Sequence, residues 1–274
     1  MNRFEVNVSR CARCGLCAKD CPSYIIELDG QGRPFIPAEK RALCMECQHC
    51  LAICPTGAIS VLGKKPEDSR PISACEIPGF EQMDHFVRSR RSIRHYKDEN
   101  VEPALIDRLL KSLAHSPTGC NAQELTFHVI DDKTVMRRFS DRLVEALCRA
   151  AKGNASSNPF FEQIEPLSPE AVSWIVFRGA PHALIVSAPQ DAPCPREDIA
   201  LSLAYFELLA QSAGLGTVWW GFLRVALGFA PEAAPVLGIP ENHDYGAILF
   251  GKPSIKFART VQKEDAAKVR RIAF

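Results

Sequence analysis

Eight of the chain's twelve cysteines fall into two combs, "CARCGLCAKDCP" from Cys11 and "CMECQHCLAICP" from Cys44. In each comb the cysteines follow one another at spacings of three, three and four residues, and a proline follows the last. So many cysteines in a small secreted chain would suggest disulfides. Here the chain has 274 residues and "MNRFEVNVSRC" lacks the apolar run and cleavage site of a secretory signal, a setting in which clustered cysteines more often bind metal. Thiolates are soft ligands suited to iron and sulfide, and four of them complete one cubane cluster. Zinc is the competing reading, but zinc sites usually set two ligand pairs on either side of a longer spacer, whereas a triple plus Cys-Pro occurs twice here. Two 4Fe-4S clusters are the expectation.

A second concentration of chemistry starts at Arg88, where "RSRRSIRHY" packs four arginines, a histidine and two serines into nine residues. Arginine with serine meets the charge and acceptor sites of a phosphate, although a solvated basic face at a helix end has the same composition. "SPTGCNAQ" from Ser116 is a turn-rich loop whose Asn121 and Gln123 can hydrogen-bond the edge of a planar heterocycle. "GLGTVWWGFL" from Gly214 offers small residues and a Trp pair that could border a flat ring or simply fill a core. "GKPSIKFAR" adds Lys256 and Arg259. His128, His182 and His243 show no metal or triad spacing and are read as structural or surface groups. Cys75, Cys148 and Cys194 are read as free thiols, and Cys120, with no basic neighbour in sequence, as a packing residue.

The elements that must hold these groups follow from pattern. The second comb repeats the first 33 positions later, which implies a duplicated unit with approximate two-fold symmetry. Short strands are expected at "FEVNV" from Phe4, "SYIIEL" from Ser23 and "AISVL" from Ala58, closing a module at residues 1–63. "KKPEDSRPISACEIP" has the proline and charge of a linker, placed at 64–79. In 80–274, Pro103 opens a helix with Leu105, Ile106, Leu109, Leu110 and Leu113 on one stripe, and a second helix covers about Lys133 to Ala151. "LTFHVI", "HALIVSA" and "AILFG" read as strands, and "DIALSLAYFELLAQSAGLG" from Asp198 as a buried helix ending at glycine, a candidate for a subunit interface. "NASSNPFFEQIEPLSPE" from Asn154 is an excursion of the length of lids and binding loops. "GLGTVWWG" lacks the third glycine of a dinucleotide fingerprint and is read as preceding a strand, not a helix. The fold class is α+β.

Thirty-three basic residues against 32 acidic leave no global charge to argue for nucleic acid or an acidic membrane surface as partner. The most apolar region, Ile199 to Ile239, is broken by Glu207, Gln211, Arg224 and several glycines, so no membrane span is expected and the location is read as cytoplasmic.

Over Phe4 to Leu62 the chain resembles the bacterial two-cluster ferredoxins, with "CPTGAI" from Cys54 a close match to their second half. In the run CxxCxxCxxxCP of those proteins the fourth cysteine ligates the other cluster. One cluster is then expected on Cys11, Cys14, Cys17 and Cys54, the other on Cys44, Cys47, Cys50 and Cys21, carrying single electrons at low potential. From Asp84 to Arg259 the order "RRSIRHY", "SPTGCNAQ", "GLGTVWWG" and "FGKPSIKFAR" resembles the FMN-dependent nitroreductase family. That resemblance implies a three-layer α/β/α domain with a mixed, mainly antiparallel sheet, and a homodimer with FMN in the subunit interface. By motif match Arg90, Arg91, Ser92 and Arg94 would bind the FMN phosphate and ribityl region, helped by Lys256 and Arg259. Pro117, Thr118, Gly119 and Asn121 match the loop that reaches the flavin, and Trp220 and Gly221 the segment beside its ring. The family needs no side-chain nucleophile, so no catalytic acid or base is assigned. The chain departs from the family's pattern at Glu124, where proline is frequent, at Lys252, where tyrosine is frequent, and in its tail "TVQKEDAAK".

The expectation from these readings is an iron-sulfur flavoenzyme that passes electrons through both clusters to FMN and on to a small oxidant: a nitroaromatic, a quinone, free flavin or an unsaturated compound. Two alternatives stand beside it. One is an electron-transfer flavoprotein exchanging electrons between NAD(P)H and a ferredoxin-type protein without an organic substrate, and the other a non-catalytic redox module of a larger complex.

Overall fold

The 33-residue register reappears in the backbone of the computed structural model, which describes residues 4–73, 76–152 and 166–273. Helix α1 (Leu16–Lys19) is preceded by left-handed Arg13 and Gly15, with φ of 54° and 71°. Helix α2 (His49–Ala52) is preceded by Glu46 and Gln48, with φ of 56° and 61°. Tyr24 and Gly57 form a third such pair, at 53° and 57°. Left-handed conformations cost an ordinary residue roughly 1–2 kcal/mol, so their recurrence in register marks a shape that both combs must adopt. Sharp turns of this kind wrap a short peptide around a common centre and aim its amides inward.

Strand β1 (Phe4–Val6) pairs antiparallel with β4 (Ile59–Val61), and β2 (Glu27–Leu28) pairs antiparallel with β3 (Pro34–Phe35). Of "SYIIEL" only Glu27 and Leu28 are strand. Tyr24 turns the chain, and Ile25 and Ile26 go into a core shared with Cys17, Ile36 and Ile59. This unit spans Met1–Pro78 and takes in Cys120–Ala122, while Gly79–Gly119 and Gln123–Phe274 make up a second.

The second unit is built on one sheet of β5 (Thr126–Ile130), β6 (His182–Pro189), β8 (His243–Gly251) and β7 (Gly216–Trp219), in that spatial order and antiparallel throughout. A single parallel bridge, Ser92 to Thr217, makes it mixed. Ala183 and Ile185 of β6 and Ala247 and Leu249 of β8 pack into one hydrophobic cluster, with α5 (Lys133–Lys152), α6 (Pro169–Phe177) and α8 (Phe222–Phe229). The alternate residues Leu184, Val186, Ile248 and Phe250 pack into a second cluster, with α4 (Pro103–Ser112) and α7 (Pro195–Ser212). Both sheet faces are covered, which is why "HALIVSA" and "AILFG" carry no polar alternation. The architecture is the α+β, three-layer one expected.

Helix α7 starts at Pro195, three residues before the sequence reading, because proline suits the first turn and Glu197 and Asp198 complement the helix N-terminus. "GTVW" is itself the strand β7, and helix α8 follows, so the reading that placed a strand after "GLGTVWWG" is corrected. Val218 and Trp219 favour extended backbone, and Gly221 then caps α8. Helix α3 (Phe80–Ser89), inside no sequence expectation, buries none of its residues. Most of the excursion from Asn154 lies outside the described residues. Among the described residues no helix is long and apolar enough to cross a membrane.

Candidate functional site

Two cavities in the first unit gather the eight comb cysteines. One is lined by Cys11, Cys14, Cys17 and Cys54, with Pro34, Ala58 and Ile59. The other is lined by Cys21, Cys44, Cys47 and Cys50, with Ile25, Ile26, Ile36 and Val61. The last cysteine of each comb therefore lines the cavity of the other comb.

Around a tetrahedral zinc with bonds of ~2.3 Å, four sulfurs would stand within about 3.8 Å of each other. Among the described residues no three His, Cys, Asp or Glu side chains converge closely enough to hold one metal ion. The four thiols that line each cavity, with apolar side chains among their neighbours, fit a 4Fe-4S cluster.

The thiols are not equivalent. Burial pushes Cys50 up to about 12, helped by the nearby Cys47, Cys44 and Cys17. Burial also raises Cys17, with Cys54 and Cys14 adding to it. Burial acts to raise Cys54 too, yet its pKa falls below the ordinary thiol value because the Ala58 amide, at 3.2 Å from Sγ, the Thr56 hydroxyl and neighbouring amides favour the thiolate. Those donors sit in "CPTGAI", a segment of small residues whose backbone can close on a sulfur.

In the second unit, residues 90–97 lie along the sheet at the start of β7 and the end of β8. Ile93 N–H donates to Thr217 O at 2.8 Å, Lys97 N–H to Lys252 O at 2.9 Å, and Ser254 N–H to His95 O at 3.0 Å. Tyr96 OH donates back to Ile93 O at 2.8 Å, and burial raises its phenol pKa. Arg90 is held at 3.0 Å by Glu207. Arg91 folds its guanidinium back onto the carbonyls of Arg88 and Arg90, and its buried Nε has no partner among the described residues. Arg94 is exposed and donates to Ser92 O at 3.4 Å.

A cavity of about 360 Å³ opens beside this segment, lined by Arg94, Arg178, Val218, Trp219, Trp220 and Gly221 among others. Trp220 is 3% exposed and packs against Phe177 and Phe139, with ring centroids 5.2 and 6.4 Å away. Trp219, which the sequence reading did not choose, is the exposed indole, at 45%. A Cβ on Gly221 would meet nothing within 4 Å, so glycine there leaves space in the cavity wall.

The loop after α4 is anchored at Gly119, whose N–H is shared by the two oxygens of Asp198 at 2.9 and 3.2 Å. Thr118 Oγ1 accepts the Gln123 N–H at 3.1 Å. Pro117 is exposed, and Asn121 falls in the Cys120–Ala122 segment that groups with the first unit. Lys256 and Arg259 are exposed in the segment after β8. Glu124 is likewise exposed. Cys148 packs at the edge of the larger core, Cys194 is half-buried and Cys120 is exposed, all as free thiols, while Cys75 lies outside the described residues.

The histidines take structural places. Ser187 Oγ, fully buried, lies 2.9 Å from His128 Nε2 and 3.1 Å from His243 Nδ1. The Val101 N–H donates to buried His182 Nε2 at 2.9 Å.

What the sequence reading missed is the polar side of α7. Asp198 holds Gly119 and Glu207 holds Arg90, both expected to touch the cofactor, and Gln211 holds the segment just before Arg90. Gln211 Nε2 donates to Phe86 O at 3.0 Å and to Ser89 Oγ at 2.8 Å. Their spacing on a helix with so little polar surface was the available signal.

Arginines with unspent donors, the orphaned Arg91 Nε and an apolar cavity with a glycine wall together fit a group with an anionic end and a flat ring, as FMN has.

Three kinds of comparison bear on these sites. The sequence model of the Nitroreductase family matches residues 87–252, and that of a 4Fe-4S dicluster domain matches residues 10–59. An iodotyrosine deiodinase of Thermotoga neapolitana is 28% identical over 140 residues, 48% of this chain and 70% of its own. A nitrobenzene nitroreductase of Ectopseudomonas oleovorans is 27% identical over 132 residues, 48% of this chain and 57% of its own length. A ferredoxin-like protein in the nif region of Sinorhizobium fredii is 36% identical over 58 residues, 19% of this chain and 84% of its own. Among solved structures, a nitroreductase with bound FMN from Bacteroides fragilis aligns with a TM-score of 0.55 at 19% identity, covering 69% of this chain and 99% of that one. It shares the fold.

Proposed function

The chain belongs to the nitroreductase family and is an FMN-dependent iron-sulfur oxidoreductase, and on that premise we propose that it delivers electrons, taken in at its two 4Fe-4S clusters, to a small oxidant at the flavin. The observation that carries this reading is the pair of four-cysteine cavities in a chain whose larger part is a flavin-binding fold. FMN supplies both one-electron and two-electron chemistry, which is what joining single-electron clusters to an organic acceptor requires.

The protein's own residues bind, orient and exclude water. Cys11, Cys14, Cys17 and Cys54 hold one cluster, and Cys44, Cys47, Cys50 and Cys21 the other. Arg90, Arg91 and Ser92 take the phosphate and ribityl end, with Lys256 and Arg259 reaching it from the tail. Arg94, Trp220 and Gly221 border the ring, and Pro117, Thr118, Gly119 and Asn121 form the loop that approaches it. The apolar walls of the cavity, Val218, Trp219 and Phe222 among them, suit a flat acceptor such as a nitroaromatic or a quinone.

A homodimer is part of the proposal. Helix α3 exposes Phe80, Met83 and Val87, α7 exposes Leu201 and Tyr205, and the segment after β8 exposes Ile255, Phe257 and Ile272. An amphipathic helix without a covered face needs a partner surface, and a second copy supplies one.

The test is anaerobic purification followed by turnover. About eight irons and one FMN per chain are expected, with bleaching of the clusters by a low-potential donor and reoxidation by a nitroaromatic or quinone. Cys14→Ser and Cys47→Ser should abolish reduction through a ferredoxin-type donor while the chemically reduced flavin still reacts with the acceptor. Turnover with no organic acceptor, but rapid exchange between NAD(P)H and a ferredoxin-type protein, would replace this reading with that of an electron-transfer flavoprotein.

A further inference from the structure

Glu207 lies on the buried face of α7, 7% exposed, where redox chemistry has no use for a carboxylate. Its Oε1 accepts from Arg90 Nη1 at 3.0 Å and from Thr217 Oγ1 at 3.2 Å. Thr217 is itself 4% exposed, bridges Ser92, and takes the Ile93 N–H on its carbonyl. One turn further along the helix Gln211 holds Phe86 and Ser89. Phe86, Ser89 and Arg90 are thus tied to α7 through side chains that packing alone would not select, and Ser92 and Ile93 to β7 through the backbone. Burying a carboxylate costs several kcal/mol unless it is paired, and an apolar residue of similar volume would serve the core at least as well. What Glu207 supplies and an apolar residue cannot is a fixed direction for a guanidinium.

Arginine carries about 2 kcal/mol of rotamer entropy and five donors in a rigid fork. Glu207 takes one donor, from Nη1, and among the described residues the others of Arg90 are unspent. A guanidinium clamped on one side meets an anion with its remaining donors already aimed, which removes an ordering cost from binding.

We propose that Glu207 is a positioning residue, which by holding the Arg90 guanidinium presets it for the FMN phosphate. This rests on the reading of Arg90 as a phosphate ligand.

Riboflavin lacks the phosphate, so the ratio of its dissociation constant to that of FMN isolates the phosphate contact. Full-length protein freed of flavin is titrated with each, with flavin fluorescence as readout. Glu207→Met, of similar volume and without an acceptor, is expected to lower the preference for FMN about tenfold while riboflavin binding stays within about twofold. Glu207→Gln keeps an acceptor oxygen and should hold the preference within about threefold of the parent. Should Glu207→Met not fold, Glu207→Asp, whose acceptor is withdrawn by one methylene, is expected to lose several-fold of the preference.

The proposal is overturned if Glu207→Met keeps or raises the preference, since the carboxylate then restrains Arg90 from the phosphate or is indifferent to it. It is equally overturned if both flavins weaken in parallel, which is the mark of a packing role. Arg90→Met separates the two levels: retention of the FMN preference in that variant defeats the reading of Arg90 itself, whereas its loss alongside an indifferent Glu207→Met defeats only the positioning role.

Discussion

A Cβ built on Gly216 would stand 2.6 Å from Ile93 Cγ1 and less than 3 Å from two other carbons of the same side chain. The close approach is needed because Ile93 N–H bonds the carbonyl of the next residue, Thr217, and Ser92 bridges to it. Gly216→Ala therefore has to part the 92–93 segment from β7. Loss of about 1–3 kcal/mol is expected from the overpacking, together with lower flavin content in protein purified in parallel, since Ser92 and Arg94 move with Ile93. Melting temperature and the FMN released per chain on denaturation check both.

The crossing of the combs gives a prediction about iron. If Cys54 serves the cavity of Cys11, Cys14 and Cys17, then Cys11→Ser combined with Cys54→Ser disturbs one cluster only, and about four of about eight irons remain. If each comb served its own cluster, the same double variant would disturb both. Iron and sulfide analysis on anaerobically purified protein decides, and Cys21→Ser with Cys44→Ser is the mirror test.

The cluster ligands were legible because their spacing is itself the device: thiolates need nothing but proximity, and the register of 33 fixes which segments are equivalent. The strands β6 and β8 were legible from continuous apolar runs of suitable length. Less could be read where one residue type serves two ends. "WW" carries no mark of which indole is core, since Trp219 at the end of β7 stands exposed while Trp220, in the turn before α8, packs inward. Glu207 and Gln211 read as interruptions of an apolar region, and Asp198 as a plain helix start, because their partners, Arg90, Ser89 and Gly119, come from sequence 79 to 122 positions away. Helix α3 was missed for a related reason: among the described residues it buries none of its side chains, and Phe80, Met83 and Val87 stand exposed.

His182 should make stability depend on pH. Burial lowers its pKa below the ordinary histidine value, against smaller opposing effects of the Ile130 backbone and of Asp131 and Asp132. The folded protein thus keeps the ring neutral, with Nε2 accepting from Val101 N–H, while the unfolded chain takes up a proton below about pH 6.5. The unfolded state binds more protons in the window between the two pKa values, so stability is full above pH 6.5 and falls as pH drops through that window, by up to about 1.4 kcal/mol per pH unit. His182→Gln retains an acceptor and cannot titrate. Its melting temperature should be lower at pH 7.5 and fall less steeply toward pH 5 than that of the parent, and parallel curves would show that His182 is not the group responsible.

The Asp198–Gly119 contact makes the last prediction. One backbone N–H shared between two oxygens of a carboxylate that is 5% exposed leaves neither group free to turn to water. The glycine cannot be replaced without cost either, because a Cβ there would lie 2.9 Å from Cys194 Sγ. Asp198→Ala removes the acceptor and strands the amide, which costs about 1–3 kcal/mol and frees Pro117 to Gly119 to open locally. Amide exchange at Gly119 should quicken by at least about tenfold while that of β6 and β8, across the sheet core, stays unchanged. Asp198→Asn keeps one carbonyl oxygen in place and should fall between the two. If the Pro117–Gly119 turn is what brings the loop to the flavin, FMN binding should weaken in the same order across the three proteins, parent, Asn and Ala. An exchange rate that rises without any change in flavin affinity would show that the anchor serves the fold alone.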